Sequence, residues 1–421
     1  MKTLVYRRYL LVVLLVIYAF NAMDGLALGL VLQNIKAELS LSDTELGTLS
    51  GIAFAAFYSV MGIPIARWAD RGDRVAIISL TLALWSIMVA LCGLATNFTQ
   101  LLLLRVGVAV GESGCIPPAH SLIADYFDRS ERPRAVAIYM LGGALSVALG
   151  YFLAGWVNQF YGWRVTFFML GAPGPFLAVL AWFTLREPRR GGRKEGLDET
   201  PGEEVALSKV WATLKANRTF IHLLFAYSVA SFFANGITNW QPAFFSRTYG
   251  LNTGELGTWF ALIYGAGGMA GVYLGGEWAS RRAAHNEPLQ LRVMAMTYCV
   301  FAVVSALIYL SPGPYLAFGL MGLGFFGGTT TAAPLFATIQ TLVPERARAT
   351  AIAIVFLFAN LIGMGLGPLV SGALSDALRP WLGDESLRYA LLLLSPGYLW
   401  SGWHLWLGSR TVSEDLSEAC S

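Results

Sequence analysis

Residues Leu101–Phe127 read LLLLRVGVAVGESGCIPPAHSLIADYF, and the run combines two properties that seldom coexist. It is long and apolar enough to cross a bilayer, for which about 20 residues suffice. Yet Arg105, Glu112 and His120 lie well inside its ends. An ionisable group in hydrocarbon is costly, so such residues face a water-filled cavity or a partner. Arg105 and Glu112 are seven apart, which puts both on one helical face about two turns from each other. Ser113-Gly114 and then Pro117-Pro118 follow Glu112, so the helix is expected to bend there. Broken backbone at membrane depth is tolerated only where protein or a cavity satisfies it. The stretch therefore holds either a polar site halfway across a membrane or a buried structural ion pair, and the functional reading is preferred.

The rest of the chain has the same character. Of its 421 residues 56% are hydrophobic and 13% charged, against about 25% charged in soluble domains, and the mean hydropathy is +0.58. Apolar runs of about 20 residues recur instead of alternating segments of about 10, which predicts an all-α membrane protein and not a barrel. The net charge of +3 is spread over short loops and offers no basic face to nucleic acid. Cys92, Cys115, Cys299 and Cys420 form no CxxC, so neither a disulfide framework nor a metal site is supported. His120, His222 and His404 are isolated along the chain and read as structural. With no phosphate-binding loop and no Ser/His/Asp group at a plausible depth, no enzyme and no cofactor is expected. The opening apolar run continues to about Leu32 without a small-residue cleavage site, so it reads as a retained first span.

Hydropathy windows predict twelve spans, at 9–33, 46–67, 75–95, 98–125, 134–158, 164–185, 219–245, 255–279, 291–310, 315–341, 349–374 and 388–408. One long hydrophilic connection, 186–218, divides them into a first bundle, 1–185, and a second, 219–421, with a short tail. A short amphipathic helix is expected near Leu207–Leu214. If the N-terminus is inside, the arginines of nearly every even-numbered connection fall on the cytoplasmic side, which predicts cytoplasmic termini in an inner membrane. The halves also repeat. Ser130–Met140 reads SERPRAVAIYM and Pro344–Ile354 reads PERARATAIAI, while Trp68-Ala69-Asp70-Arg71 returns as Trp278-Ala279-Ser280-Arg281. The two matches share nearly one offset and so report one duplication.

The loop GIPIARWADRGDR (Gly62–Arg74) resembles the signature between spans 2 and 3 of the major facilitator superfamily. Asp70, Arg71 and Arg74 occupy its charged positions, while Ala66 and Asp73 replace its glycines. These charges suit a conformational gate across the cytoplasmic closure; the plainer reading is a solvated topogenic loop. Arg105 and Gly107 begin a span-4 motif of proton-coupled members. The glycines at 142, 143, 150 and 155, and at 363, 365, 367 and 372, read as close helix packing. Asp24 lies in YAFNAMDGLALG (Tyr18–Gly29) at a depth comparable to Glu112. Two carboxylates near one cavity need a cation, a proton or each other.

Asn21-x-x-Asp24, GVAVGES around Glu112, IADYF before the loop and Leu185-Arg186-Glu187-Pro188 together resemble the bacterial Spinster-like transporters. The resemblance covers nearly the whole chain and implies the major facilitator fold. It also implies alternating access, proton linkage through the Asp24 and Glu112 positions, and lipid-like substrates in animal relatives. The family's span-1 arginine is Gly25 here. Either another cation substitutes (Arg105 is the candidate in this half), or a carboxylate stays protonated, or coupling is lost.

The second half offers Asn235, Asn239, Trp240, Gln241, Tyr264, Thr330 and Asn360 among dense aromatics. With Asn21, these are the candidate substrate contacts for an amphipathic small molecule. The expected protein is a monomeric, proton-gradient-driven secondary transporter whose partners are substrate and membrane lipid. An uncoupled facilitator and an organic-anion or drug porter are the alternatives, and a sensor or enzyme fits least.

Overall fold

Short polar caps mark where helices begin. Ser42 accepts from the Glu45 amide at 3.2 Å while Glu45 accepts from the Ser42 amide at 2.8 Å, a reciprocal box at the start of helix Asp43–Ser50. Asp73, Asn97 and Asn217 cap helices Arg74–Cys92, Phe98–Glu112 and Arg218–Thr238 one-sidedly. The computed structural model describes residues 4–128, 130–188, 214–283, 286–343 and 348–420, and among these every regular element is a helix. Among the described residues, nine helical stretches are long and apolar enough to cross a membrane. The two longest, Arg134–Thr184 and Thr350–Ser417, are broken at Gly162 (φ 82°) and Gly383 (φ 55°), conformations that side chains disfavour. Each therefore holds two crossings. The glycine-rich helix Gly268–Arg282 with its outer segment Thr253–Phe260 completes the twelve predicted spans. The amphipathic helix expected near 207–214 falls, apart from Leu214, outside the described residues.

Four of the interrupted spans bear on the candidate site. The first breaks between Leu4–Asn21 and Met23–Leu39, the fourth between Phe98–Glu112 and Ile116–Tyr126. The seventh breaks between Arg218–Thr238 and Gln241–Tyr249, the tenth between Pro314–Thr329 and Ala332–Leu342. Three of the second segments carry a proline in their first turn (Pro117 and Pro118, Pro242, Pro334), where its missing N–H matters least. The sequence reading foresaw only the fourth-span break. Asp24 and Gln241 both lie in the first turn of a second segment, and Glu112 and Thr329 both end a first segment.

The chain divides into two compact units, Met1–Asp198 with Gly250–Ala261, and Glu199–Tyr249 with Leu262–Ser421. The first two turns of the eighth span thus belong with the first unit. There Thr253 Oγ1 donates to Gly155 O at 3.0 Å and Trp156 Nε1 to Thr258 Oγ1 at 3.1 Å. A Cβ on Gly155 would stand 2.4 Å from Thr253 O, and one on Gly257 2.4 Å from Tyr151 O. Glycine alone permits that approach.

In the second unit, helix Arg218–Thr238 and the eleventh span touch backbone to backbone, as the glycines there predict. A Cβ on Gly367 would meet Phe232 O at 2.6 Å and Gly236 N at 2.8 Å. Gly367→Ala must push two helices apart, so a loss of about 1–3 kcal/mol is expected. A thermal midpoint equal to that of the unaltered protein would show that the contact yields at no cost.

Candidate functional site

The breaks in the first and fourth spans bring three ionisable side chains together. Arg105 Nη1 donates to Asp24 Oδ2 at 2.5 Å, with both side chains 2% exposed. Glu112 is buried as well, close enough to Asp24 for the two acids to influence each other electrostatically. The Arg105 guanidinium also lies over the Phe54 ring, 5.3 Å from its centroid. Helical spacing accounts for the arrangement: Arg105 and Glu112 share one face of Phe98–Glu112, and Asp24 begins the outer segment of span 1. Arg105 is thus the cation on Asp24. At Gly25 a Cβ would meet nothing within 4 Å.

Two carboxyls against one guanidinium leave a net charge of −1 if both acids ionise, and zero if one holds a proton. Asp24 Oδ1, Glu112 Oε1, Arg105 Nε and Asn21 Nδ2 are buried without hydrogen-bond partners among the described residues. Polar atoms left this way in a native interior call for an explanation such as a proton, water or ligand. Tyr18 and Tyr139 stack nearby at 4.9 Å, and His120 meets Tyr139 edge-on at 5.3 Å.

Of the three proposed gate residues, only Arg74 has a described side chain. Asp70 and Arg71 belong to helix Ile52–Arg71, and their side chains lie outside the described set. Arg74 is enclosed within the first unit and is fully buried. Its Nη2 donates to Glu187 at 2.5 Å and to Asp125 at 2.6 Å, and its Nη1 to Ser121 at 2.8 Å. The start of the 186–218 connection is therefore anchored. Tyr126 Oη donates to Arg186 O at 2.7 Å, and the Arg186 amide donates to Tyr6 Oη at 2.7 Å. Glu187 and Asp125 stood in the quoted sequence motifs, but their partner was not visible there.

In the second unit the predicted contacts divide into two groups. Trp240 is fully buried, and its Nε1 donates to Pro368 O at 2.9 Å. Gln241 is buried between Tyr264 Oη, whose proton it accepts, and Tyr309 Oη, to which its Nε2 donates at 3.3 Å. These three belong to closed interior packing. Tyr264 lies on a π-helical turn, Ala261–Gly267, a conformation found often at functional positions. Asn235, Asn239, Thr330 and Asn360 are half-buried. The histidines correct one expectation, since His222 and His404 are not isolated. Their Nδ1 atoms are 3.1 Å apart, because spans 7 and 12 pack side by side.

With twelve crossings, paired interruptions and an intramembrane acid pair in view, comparison with known proteins is decisive. The family described as Major Facilitator Superfamily matches residues 14–368. The chain belongs to the Major Facilitator Superfamily. An MFS-type efflux pump of Mycolicibacterium smegmatis is 33% identical over 407 residues, covering 96% of this chain and 93% of the pump. A probable L-galactonate transporter of Escherichia coli is 25% identical over 389 residues, 89% of this chain and 83% of that protein. A bacterial homolog to the human lysosomal transporter Spinster, in an inward-facing and unoccupied conformation, matches with a TM-score of 0.88. Its identity is 29%, over 98% of this chain and 99% of that one. This superfamily member is a Spinster-like transporter by fold and not an enzyme.

Proposed function

We propose that this Major Facilitator Superfamily protein is a proton-coupled secondary transporter. It moves an amphipathic small molecule across the inner membrane by alternating access, with both termini cytoplasmic. The observation that carries the reading is the buried trio: two acids, one arginine, and room in the charge balance for one exchangeable proton. A group that changes its charge inside the membrane biases whichever conformation lets it reach water. Glu112 is the exchanging acid, because Arg105 is already committed to Asp24.

The test uses proteoliposomes under an imposed pH gradient. The probe is whichever lysolipid, organic anion or cationic amphiphile most raises the melting temperature of the purified protein. Glu112→Gln keeps the shape of the side chain and removes its titration, so gradient-driven flux is expected to fall to the level seen without a gradient. Flux that stays gradient-driven in the variant refutes the assignment. Gly25 in place of the family's arginine favours a second reading, an uncoupled facilitator. That reading requires the unaltered protein to ignore the gradient in the same assay.

A further inference from the structure

The Arg105 guanidinium is held from two sides. It donates to Asp24 Oδ2 at 2.5 Å, and its Cζ lies 5.3 Å from the centroid of the Phe54 ring. That distance is within the range of a cation–ring attraction, which gains strength where water is excluded, and both residues are buried. No further hydrogen bond or ring contact of the guanidinium stands among the described residues, and its Nε has no acceptor there. Asp24 and Phe54 fix its position between them.

Glu112 competes for the same charge. It follows Arg105 by seven residues, about 10 Å along the helix axis. Helical side chains lean toward the N-terminus, which brings the Glu112 carboxyl toward the guanidinium. The two groups are close enough to influence each other electrostatically. Yet no hydrogen bond joins them, and Glu112 Oε1 is buried without a partner among the described residues. The other titratable groups near the trio are Tyr58 on span 2, Cys92 on span 3 and Cys115 just past the break in span 4. None of them brings a positive charge. Which acid carries a proton is thus decided by where one guanidinium stands.

Phe54 belongs to a segment with a joint of its own. The second span is interrupted at Gly51 (φ −112°, ψ −100°), between Asp43–Ser50 and Ile52–Arg71, and Phe54 lies in the first turn beyond the break. It stacks on Tyr58, one turn further along, with centroids 5.6 Å apart and an interplanar angle of 18°. The ring is packed on its own segment and travels with it.

Resting on the coupling reading above, we infer that Phe54 is a positioning residue of the proton site: its ring holds Arg105 on Asp24 and so leaves Glu112 as the acid that exchanges. A tilt of Ile52–Arg71 at Gly51 withdraws the ring and lets the guanidinium turn to Glu112. The Glu112 proton then passes to Asp24, which has lost its counter-charge, and the net charge of the trio is unchanged. The position of span 2 decides which acid holds the proton.

Infrared spectroscopy of the full chain in lipid membranes tests this. A protonated carboxyl absorbs apart from ionised ones, and isotope-labelled glutamate or aspartate shows which acid it belongs to. The Glu112 signal is the part of the glutamate signal lost in Glu112→Gln. In Phe54→Leu and Phe54→Met it is expected to fall to roughly half or less near neutral pH, with a matching rise in protonated aspartate. Phe54→Trp keeps a ring over the guanidinium and should keep the Glu112 signal. A ring that only filled space would lower the melting temperature of the aliphatic variants without moving the signal from one label to the other. A Glu112 signal unmoved in both aliphatic variants overturns the inference, and so does an equal loss in Phe54→Trp. If the unaltered protein shows no protonated Glu112 at all, the exchange reading falls and this inference with it, whereas a Glu112 signal indifferent to Phe54 removes this inference alone.

Discussion

Replacing Arg74 by leucine is expected to lower the thermal midpoint of the purified protein sharply and to reduce its folded yield. The guanidinium is fully buried, and it satisfies Glu187, whose side chain is 2% exposed, and Asp125, whose side chain is 38% exposed. It reaches Glu187 through Nε as well, at 3.1 Å, and the Arg74 amide donates to the same carboxylate at 2.8 Å. Leucine removes the fork and withdraws from the buried Glu187 the charge that Arg74 supplies, at a cost of about 3–5 kcal/mol. Arg74→Leu combined with Glu187→Gln removes both charges and should recover part of the loss, because part of the penalty is that of keeping a carboxylate buried once Arg74 is gone. A double variant no more stable than the single one would assign the effect to packing of the arginine stem.

Arg105→Leu is expected to produce a large effect with a distinctive pH dependence. Once the guanidinium is gone, Asp24 and Glu112 can stay buried side by side only as neutral acids. The folded variant then binds protons that the unfolded chain releases near neutrality, so its stability rises as pH falls and drops as pH rises. Relative to the unaltered protein, the midpoint gap should be small near about pH 5 and widest near about pH 8, where it corresponds to roughly 3–5 kcal/mol. Melting curves across that range check it. A gap independent of pH would mean that the arginine matters for its bulk and its contact with Phe54, not for its charge.

Much of the architecture was legible because its signals are local. An apolar run of about 20 residues is read in one window, and charges inside such runs, Asp24, Arg105 and Glu112, mark themselves as exceptions. The duplicated loops gave the halves in the same way. What stayed hidden depends on packing between distant parts of the chain. Asp24 meets Arg105 across 81 residues, Arg74 meets Glu187 across 113, and His222 meets His404 across 182. Sequence supplies the members of such pairs without the matching. Trp240 and Tyr264 show the complementary case. A polar or aromatic residue in a span reads alike whether its hydrogen bond goes to substrate or to Pro368 O, and only the fold tells which. The eighth span was read as one element of the second bundle. Its outer turns sit with the first unit because two glycines allow backbone contact there, and glycine's lack of a side chain makes that preference invisible to hydropathy.

The matched interruptions of the first and seventh, and the fourth and tenth, spans point to a separation of inheritance. Both copies of the ancestral module kept the same weak points, but titratable groups at the breaks survived in one copy and neutral amides and hydroxyls in the other. The neutral polar groups of one copy can therefore drift without disturbing the ion pair buried in its sister.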